Sequence, residues 1–468
     1  MNYGVTITEG ATPWQIFQQT NGKADITVSG KYSLIHLSQE LPLQFTPVKP
    51  VKAVIKARIA LEDTGESILP WQECKLLENE SWTMTFFDVP AGGLYRIETY
   101  MDYEGWDGLS VTRGDVIHNL GVGDIFVVAG QSNAAGRAKG PVTDEPELGV
   151  HLLRNSGSWD LATHPLNETT GSIHMEHFEN HNPGHSPWLH FAKRLKKELG
   201  YPIGLVVSAY GGSPLRWWNP AENGTLFRNM LEQLADYRIK PKGMLWYQGE
   251  AEGFEDSAAT YLDRFTNFVS EVRSALNNPE LPIITVQLNR CMTPSTEQLD
   301  RQWGIVRQAQ VDAMYQLNRV YTIPSTDLSL YDFIHNSSES NLVIGERCAR
   351  CALQELYHRN YDWMAPEASE ILRTAADTVE VRFSRIRNWI NPYDVSADLL
   401  PFEAEDAQGL VSVKEYTTNN DSIVIVFQRE LGKDAVLHGA WRMNPGSAIP
   451  CDCMRLPMLS FYGKKIES

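Results

Sequence analysis

Six cysteines among 468 residues are too few for a disulfide scaffold. Cys348 and Cys351 lie within a helical pattern that has no second matching pair. Thiols packed on a helix face are therefore expected there, and neither zinc nor redox chemistry. Cys451 and Cys453 read the same way. Basic charge is also scarce. Lys plus Arg number 41 against 58 for Asp plus Glu, a formal net charge of −17, which repels a phosphate backbone and argues against a nucleic-acid partner. No apolar run reaches the roughly 18 residues of a membrane-spanning helix, so no membrane partner is expected. The opening MNYGVTITEG has no basic segment leading into an apolar stretch. The expectation is a cytoplasmic protein, or an exported one whose leader has been removed. There is no internal repeat and no low-complexity linker.

The rest of the composition describes a folded chain. Apolar residues at 42% and charged residues at 21% are globular proportions, and the length suits two to four domains at about 100–200 residues each. The pattern changes twice. Residues 1–118 read as β, with candidate strands at 51–60, 82–89 and 94–100, the last following Pro90-Ala91-Gly92-Gly93. Residues 119–362 alternate. Short apolar runs at 125–129, 203–209, 244–247, 283–288 and 320–323 suit strands buried on both faces. Helical spacing appears between them at 258–276 and after them at 342–357. Such alternation predicts a parallel sheet covered by helices, with chemistry at the carboxyl ends of its strands. Residues 363–468 return to β, with strands at 379–383 and 422–427 in a small sandwich or a sheet packed on the middle domain.

Four short blocks end these strands. Gly130-Gln131-Ser132-Asn133 follows the first and puts Ser132 at the sheet edge, before a helix whose positive end would face the hydroxyl. Ser132 is there either as a nucleophile or as a helix N-cap. Asp332-Phe333-Ile334-His335 follows the last strand. Such an Asp can bend back onto Nδ1 of the imidazole and leave Nε2 to take a serine proton; a solvated surface loop is the plainer alternative. Gly211-Gly212-Ser213 follows the second strand, where glycine lets a backbone N–H come close to a ligand, although a bare turn looks the same. Trp246-Tyr247-Gln248-Gly249-Glu250 ends another strand. Gln248 could donate to an oxyanion, and Glu250 could partner His335 or bind substrate hydroxyls.

In this order the blocks resemble the SGNH hydrolase superfamily, and most closely its sialate O-acetylesterase and carbohydrate acetylesterase branch. Pro90-Ala91-Gly92-Gly93, Gly123-Asp124 and the tail His438-Gly439-Ala440-Trp441 with Leu456-Pro457 are also similar to that branch. The resemblance implies an α/β fold: a flavodoxin-like three-layer SGNH hydrolase domain with N-terminal and C-terminal β domains. It implies a serine esterase that removes O-acetyl groups from a sugar, such as O-acetyl sialic acid or acetylated xylan, without a cofactor or metal. Ser132 would be the nucleophile, His335 the base and Asp332 its partner. The N–H groups of Ser132 and Gly212 would form the oxyanion hole, with Gln248 as third donor. Gln131, Asn133, Arg216, Trp217, Trp218 and Glu250 would bind substrate. Asn336 stands where many relatives carry proline, a departure expected to alter the loop and not the chemistry.

Seven of the twelve histidines fall between 151 and 190: His151, His164, His174, His177, His181, His185 and His190. His177 and His181 have one-turn spacing, but Asn180, Asn182, Pro183 and Gly184 oppose a helix. A polar loop touching sugar or itself is expected there, without metal. Three alternatives stand beside the esterase: a non-catalytic carbohydrate-binding protein on a hydrolase fold, a metal-dependent hydrolase using residues 151–190, and a lipase.

Overall fold

The structure is a computed structural model that describes residues 4–33, 53–105, 108–180, 183–393 and 395–467. At its centre is a parallel sheet. From one edge the strands run Trp159–Leu161, Val150–Leu153, Ile203–Val207, the end of Gly108–Gly130, Gly243–Tyr247, Ile283–Val286 and Val320–Ile323. All pair in parallel except Trp159–Leu161, which is antiparallel to its neighbour. Ile203–Val207, Gly243–Tyr247 and Ile283–Val286 are buried at every position, as their unbroken apolar composition requires.

The strand order reverses beside Gly108–Gly130. The chain first moves outward on one side, to Val150–Leu153 and back through Ile203–Val207. It then moves out on the other side through Gly243–Tyr247 to Val320–Ile323. Connections therefore leave in opposite directions from the end of the central strand and open a crevice there.

The helices obey the same burial logic. Trp188–Leu199 buries Trp188, Leu189, Phe191, Ala192 and Leu195, spacings that make one apolar face. Two starts carry sequence signals. Thr296 caps Glu297–Gln316 by accepting from Leu299 N, and Ser337 caps Ser338–Glu355 by accepting from Ser340 N. The second cap ends the loop that bears Asp332 and His335, and so fixes where that loop stops.

Gly108–Gly130 is 23 residues long. Its first part pairs antiparallel with Gly92–Gly105, in one sheet with Ala53–Leu61 and Ser67–Glu73, while its end joins the parallel strands. The pattern change expected near residue 118 thus lies inside one continuous strand. A four-stranded antiparallel sheet, Gly4–Glu9, Lys23–Ser33, Ser81–Pro90 and Lys75–Leu77, shares a core with that hairpin region, centred on Val28, Ile59, Trp82, Phe86 and Ile97. Past residue 363, seven antiparallel strands from Glu367–Ala375 to Phe461–Lys465 enclose their own core. Arg307 of Glu297–Gln316 is buried and donates to the carbonyls of Ala440, Trp441 and Arg442, which anchors this sheet to the parallel layer.

The expected strands 51–60, 82–89 and 94–100 correspond to Ala53–Leu61, Ser81–Pro90 and Gly92–Gly105; residues 51 and 52 lie outside the described residues. The strands Val150–Leu153 and Trp159–Leu161 and the helices Thr225–Asp236 and Glu297–Gln316 were not anticipated. Among the described residues no helix is long and apolar enough to cross a membrane. All six cysteines are free thiols.

Candidate active site

Gly130 ends the central strand at φ +129°, and a Cβ there would lie 2.2 Å from the carbonyl oxygen of Tyr247. Only glycine lets the two neighbouring strands close at this point. The chain then turns, with Gln131 N donating to Tyr247 O and Tyr210 N donating to Gly130 O. These bonds bind the ends of three adjacent strands and leave Ser132 at the crevice. The N-cap position is Gln131, which makes no side-chain capping bond, so the Ser132 hydroxyl is not spent on capping. The helix expected after it is the single turn Ser132–Ala135, too short for a substantial dipole.

Ser132 and His335 line one cavity of about 700 Å³, together with Gln131, Gly212, Glu250 and Asp332. His335 Nδ1 lies 2.7 Å from Asp332 Oδ2, while Asp332 Oδ1 accepts from the backbone N–H of Ile334 and His335. Burial opposes ionisation of Asp332. The backbone donors of His335 and Ile334, with the imidazole, outweigh it and hold the carboxyl below its usual range. That carboxylate orients the ring with Nε2 opposite the Asp332 contact. Gly212 sits at φ +64° with nothing within 4 Å of the point where a Cβ would stand, and its N–H has no acceptor among the described residues. The neighbouring Gly211 N–H donates to Glu179 Oε1 at 2.9 Å, and Arg137 Nη2 donates to the same oxygen at 2.7 Å. A buried carboxylate thus sets the turn from behind.

Other expected residues lie elsewhere. Gln248 is fully buried, and its amide donates to Ser213 O and to Glu252. Both N–H bonds are used inside the core, so Gln248 is not an oxyanion donor in this arrangement. Asn133 is buried too and does not line the cavity. Its Nδ2 donates to Glu250 Oε1 at 2.7 Å, and its Oδ1 accepts from Asn336 N at 3.1 Å. It joins the serine turn to the histidine loop instead of binding substrate. Trp218 is a core residue packed edge-on against Trp246, with Nε1 donating to Ser213 Oγ. Trp217 packs on Tyr210, and Arg216 pairs with Glu255. None of these three lines the cavity, although Glu255 does. Glu250 lines it and is buried; desolvation pushes its carboxyl up to about 7. It reaches the histidine loop only through Asn133, not as a second partner of His335.

The cavity holds residues that sequence reasoning missed. Arg137 and Lys139 form one wall, and Phe254, Tyr331 and Phe333 are half-exposed rings at the rim. A signal was present for two of these, since Tyr331 and Phe333 flank Asp332. Among the described residues, no histidine of the 151–190 segment lines the cavity. His177 Nε2 donates to Ala209 O and His151 Nδ1 contacts Trp14 O, and burial pushes both imidazoles down to about 4. His181, of the one-turn pair, lies outside the described residues.

Residues 122–354 match the family described as carbohydrate esterase, sialic acid-specific acetylesterase. Over 275 residues the chain is 27% identical to a protein of Arabidopsis thaliana named a probable carbohydrate esterase, covering 53% of this chain and 98% of that one. The sialate O-acetylesterase of Homo sapiens is 21% identical over 235 residues, covering 41% of this chain and 42% of that one, less than half its length. Among solved structures, a carbohydrate acetylesterase from Xanthomonas citri superposes with TM-score 0.66 at 19% identity, covering 98% of this chain and 99% of that one. This last likeness is one of fold, and it extends through the β regions on either side of the parallel sheet.

Proposed function

Because the chain belongs, through residues 122–354, to the sialic acid-specific acetylesterase family of carbohydrate esterases and is an ester hydrolase, we propose that it removes O-acetyl groups from sugars through an acetyl-enzyme on Ser132. The observation that carries this reading is the meeting of Ser132, Gly212 and the Asp332–His335 pair around one cavity at the reversal point of the sheet. The working fold is a flavodoxin-like three-layer unit spanning residues 119–362, between β domains 1–118 and 363–468.

In the first step Ser132 Oγ attacks the acetyl carbonyl carbon while His335 Nε2 takes its proton. The negative charge that develops on the carbonyl oxygen is met by the N–H groups of Ser132 and Gly212. Asp332 stabilises the imidazolium, which then protonates the departing sugar oxygen. In the second step His335 draws a proton from water, the hydroxide attacks acetyl-Ser132, and acetate leaves as the serine hydroxyl is restored. Tyr331, Phe333 and Phe254 offer ring faces to the sugar, and Arg137 and Lys139 offer donors to its hydroxyl or carboxylate groups.

The test is acetate release from a panel that includes O-acetylated sialic acid and acetylated xylo-oligosaccharides, comparing the parent with Ser132→Ala and His335→Ala. Loss of turnover in both variants, with folding intact, is expected. Full activity in both would overturn the assignment.

A further inference from the structure

The histidine-rich segment contains a convergence that its spacing does not reveal. Asp144 lies in the stretch between the Ser132 turn and Val150–Leu153. His164 and His185 lie 20 and 41 residues further on. The Nε2 atoms of the two imidazoles stand 3.0 and 3.1 Å from the same oxygen, Asp144 Oδ2. All three atoms lie within 4.8 Å of one another. The rings are 4.2 Å apart at a tilt of 37°, so they approach the carboxylate side by side. The Asp144 side chain is 1% exposed and that of His185 is 7% exposed.

We propose that Asp144 Oδ2, His164 Nε2 and His185 Nε2 form a binding site for a divalent transition-metal ion of zinc's class, with water in the fourth position. Tetrahedral zinc holds nitrogen at about 2.0–2.1 Å and carboxylate oxygen at about 2.0–2.2 Å, which puts neighbouring ligand atoms a little over 3 Å apart. The two Asp–His separations are already close to that spacing. Imidazole with one carboxylate is a donor set suited to zinc and its neighbours, not to magnesium or calcium. The other carboxylate oxygen, Oδ1, accepts from Lys193 Nζ at 2.9 Å. Asp144 therefore presents a single oxygen, and its outer contact is in place.

The proton balance is simple. Each ring must present a lone pair at Nε2, which puts its proton at Nδ1. Both Nδ1 atoms are buried with no partner among the described residues, so the contact to Asp144 Oδ2 alone keeps the proton of each ring on Nε2, and binding an ion moves it to Nδ1. Binding gives up only the two contacts to Asp144 and replaces them with bonds to the ion.

The site is separate from the cavity that holds Ser132 but is connected to it by backbone. His185 N donates to Ala138 O, and Gly184 N donates to Gly136 O. Residues 136–138 leave the serine turn directly, and Arg137 and Lys139 line the cavity. An ion that ties His185 to Asp144 and His164 would fix this segment without touching substrate.

The experiment uses full-length protein without a histidine tag, stripped with a chelator and dialysed, then titrated with Zn²⁺ by calorimetry. Co²⁺ is added separately and its visible absorption recorded. One ion per chain is expected, bound at micromolar concentration or tighter, with His164→Asn weakening it by about 10²-fold. Co²⁺ should show the intense bands of four-coordinate geometry with nitrogen ligands. Failure of the parent to bind Zn²⁺, or equal affinity in His164→Asn, would overturn the proposal. If the variant does not fold, the Co²⁺ spectrum of the parent decides, and its absence is equally fatal. None of these readouts depends on esterase activity, so this proposal and the acetyl-enzyme can fail independently.

Discussion

Replacing Asn133 with alanine should damage stability and turnover together, because the side chain joins the Ser132 turn to the loop that bears Asp332 and His335. Its Nδ2 donates to Glu250 Oε1, its Oδ1 accepts from Asn336 N, and Nδ2 also approaches Ile334 O at 3.4 Å. Alanine strands a carboxyl oxygen of Glu250 and the N–H of Asn336, both buried. At about 1–3 kcal/mol for each orphaned group, Asn133→Ala should cost about 2–5 kcal/mol. The cost should depend on pH. Burial pushes the Glu250 carboxyl up to about 7 against the opposing pull of Asn133. Removing that donor hurts the carboxylate more than the neutral acid, so the deficit at pH 8 should exceed that at pH 6. Because the bonds bracket both Ser132 and His335, a small misalignment should lower kcat by about 10²-fold, for p-nitrophenyl acetate and sugar esters alike. Urea denaturation at the two pH values and steady-state kinetics measure both effects. A variant within 1 kcal/mol of the parent at both pH values, with unchanged kcat, would refute the idea that Asn133 is the joint.

Gly212→Ala tests the oxyanion turn. Its left-handed backbone has open space around a Cβ, so the stability cost should be only about 1–2 kcal/mol. Loss of the donor geometry should lower kcat by up to about 10²–10³-fold, and a variant with full kcat would remove Gly212 from the oxyanion hole. The Tyr331→Ala, Phe333→Ala double variant should raise KM for acetylated oligosaccharides by about tenfold, some 1.4 kcal/mol of binding. KM for p-nitrophenyl acetate should not change, and an equal rise for both substrates would deny the rim a role in sugar binding. Stability should fall on acidification from pH 7 to 5. The unfolded chain takes up protons near 6.5 on His151 and His177, while the folded chain keeps both neutral until about 4; this loses about 2 kcal/mol for each. Glu250 acts in the opposite sense. Held near 7 in the fold, it keeps a proton that the unfolded chain releases above about 4.5, which adds about 2 kcal/mol at pH 5 relative to pH 7. Glu250→Gln should therefore steepen the acid loss, from about 2 to about 4 kcal/mol, in urea titrations at the two pH values. An unchanged slope would mean that Glu250 ionises normally.

The parts of the site legible in sequence are those carried by local chemistry at strand ends. An apolar run that stops at Gly-Gln-Ser-Asn or Gly-Gly-Ser announces both a sheet edge and the residue placed on it, because a parallel strand must be apolar and its turn must be tight. Asp332 and His335 were legible for a similar reason, since three residues are enough for a carboxylate to fold back on a ring. Residue type alone misled where burial decides. Trp218 and Gln248 have the side chains of a sugar platform and an oxyanion donor. Gln248 stands one step past Gly243–Tyr247 and Trp218 ends the helical turn Leu215–Trp218, and both turn inward, where Trp246, Ser213 and Glu252 absorb them.

What was illegible is the support behind the site, because it is made of contacts between distant segments and backbone atoms. Glu179 holds the N–H of Gly211, while His177 and Asn167 both donate to Ala209 O just upstream. Part of the segment that looks like a polar loop in composition braces the Gly211–Gly212 turn from behind, and no periodicity marks a residue whose partner is a carbonyl 32 positions away. Position 336 makes the same point at closer range. Set against relatives that carry proline, Asn336 reads as a detail of the loop. In the fold it is buried: its N–H donates to Asn133 Oδ1 and its Oδ1 accepts from Asn289 Nδ2 at 2.8 Å. Proline has no N–H to give. In this chain the seat of the His335 loop against the Ser132 turn therefore includes a hydrogen bond that proline at 336 could not make.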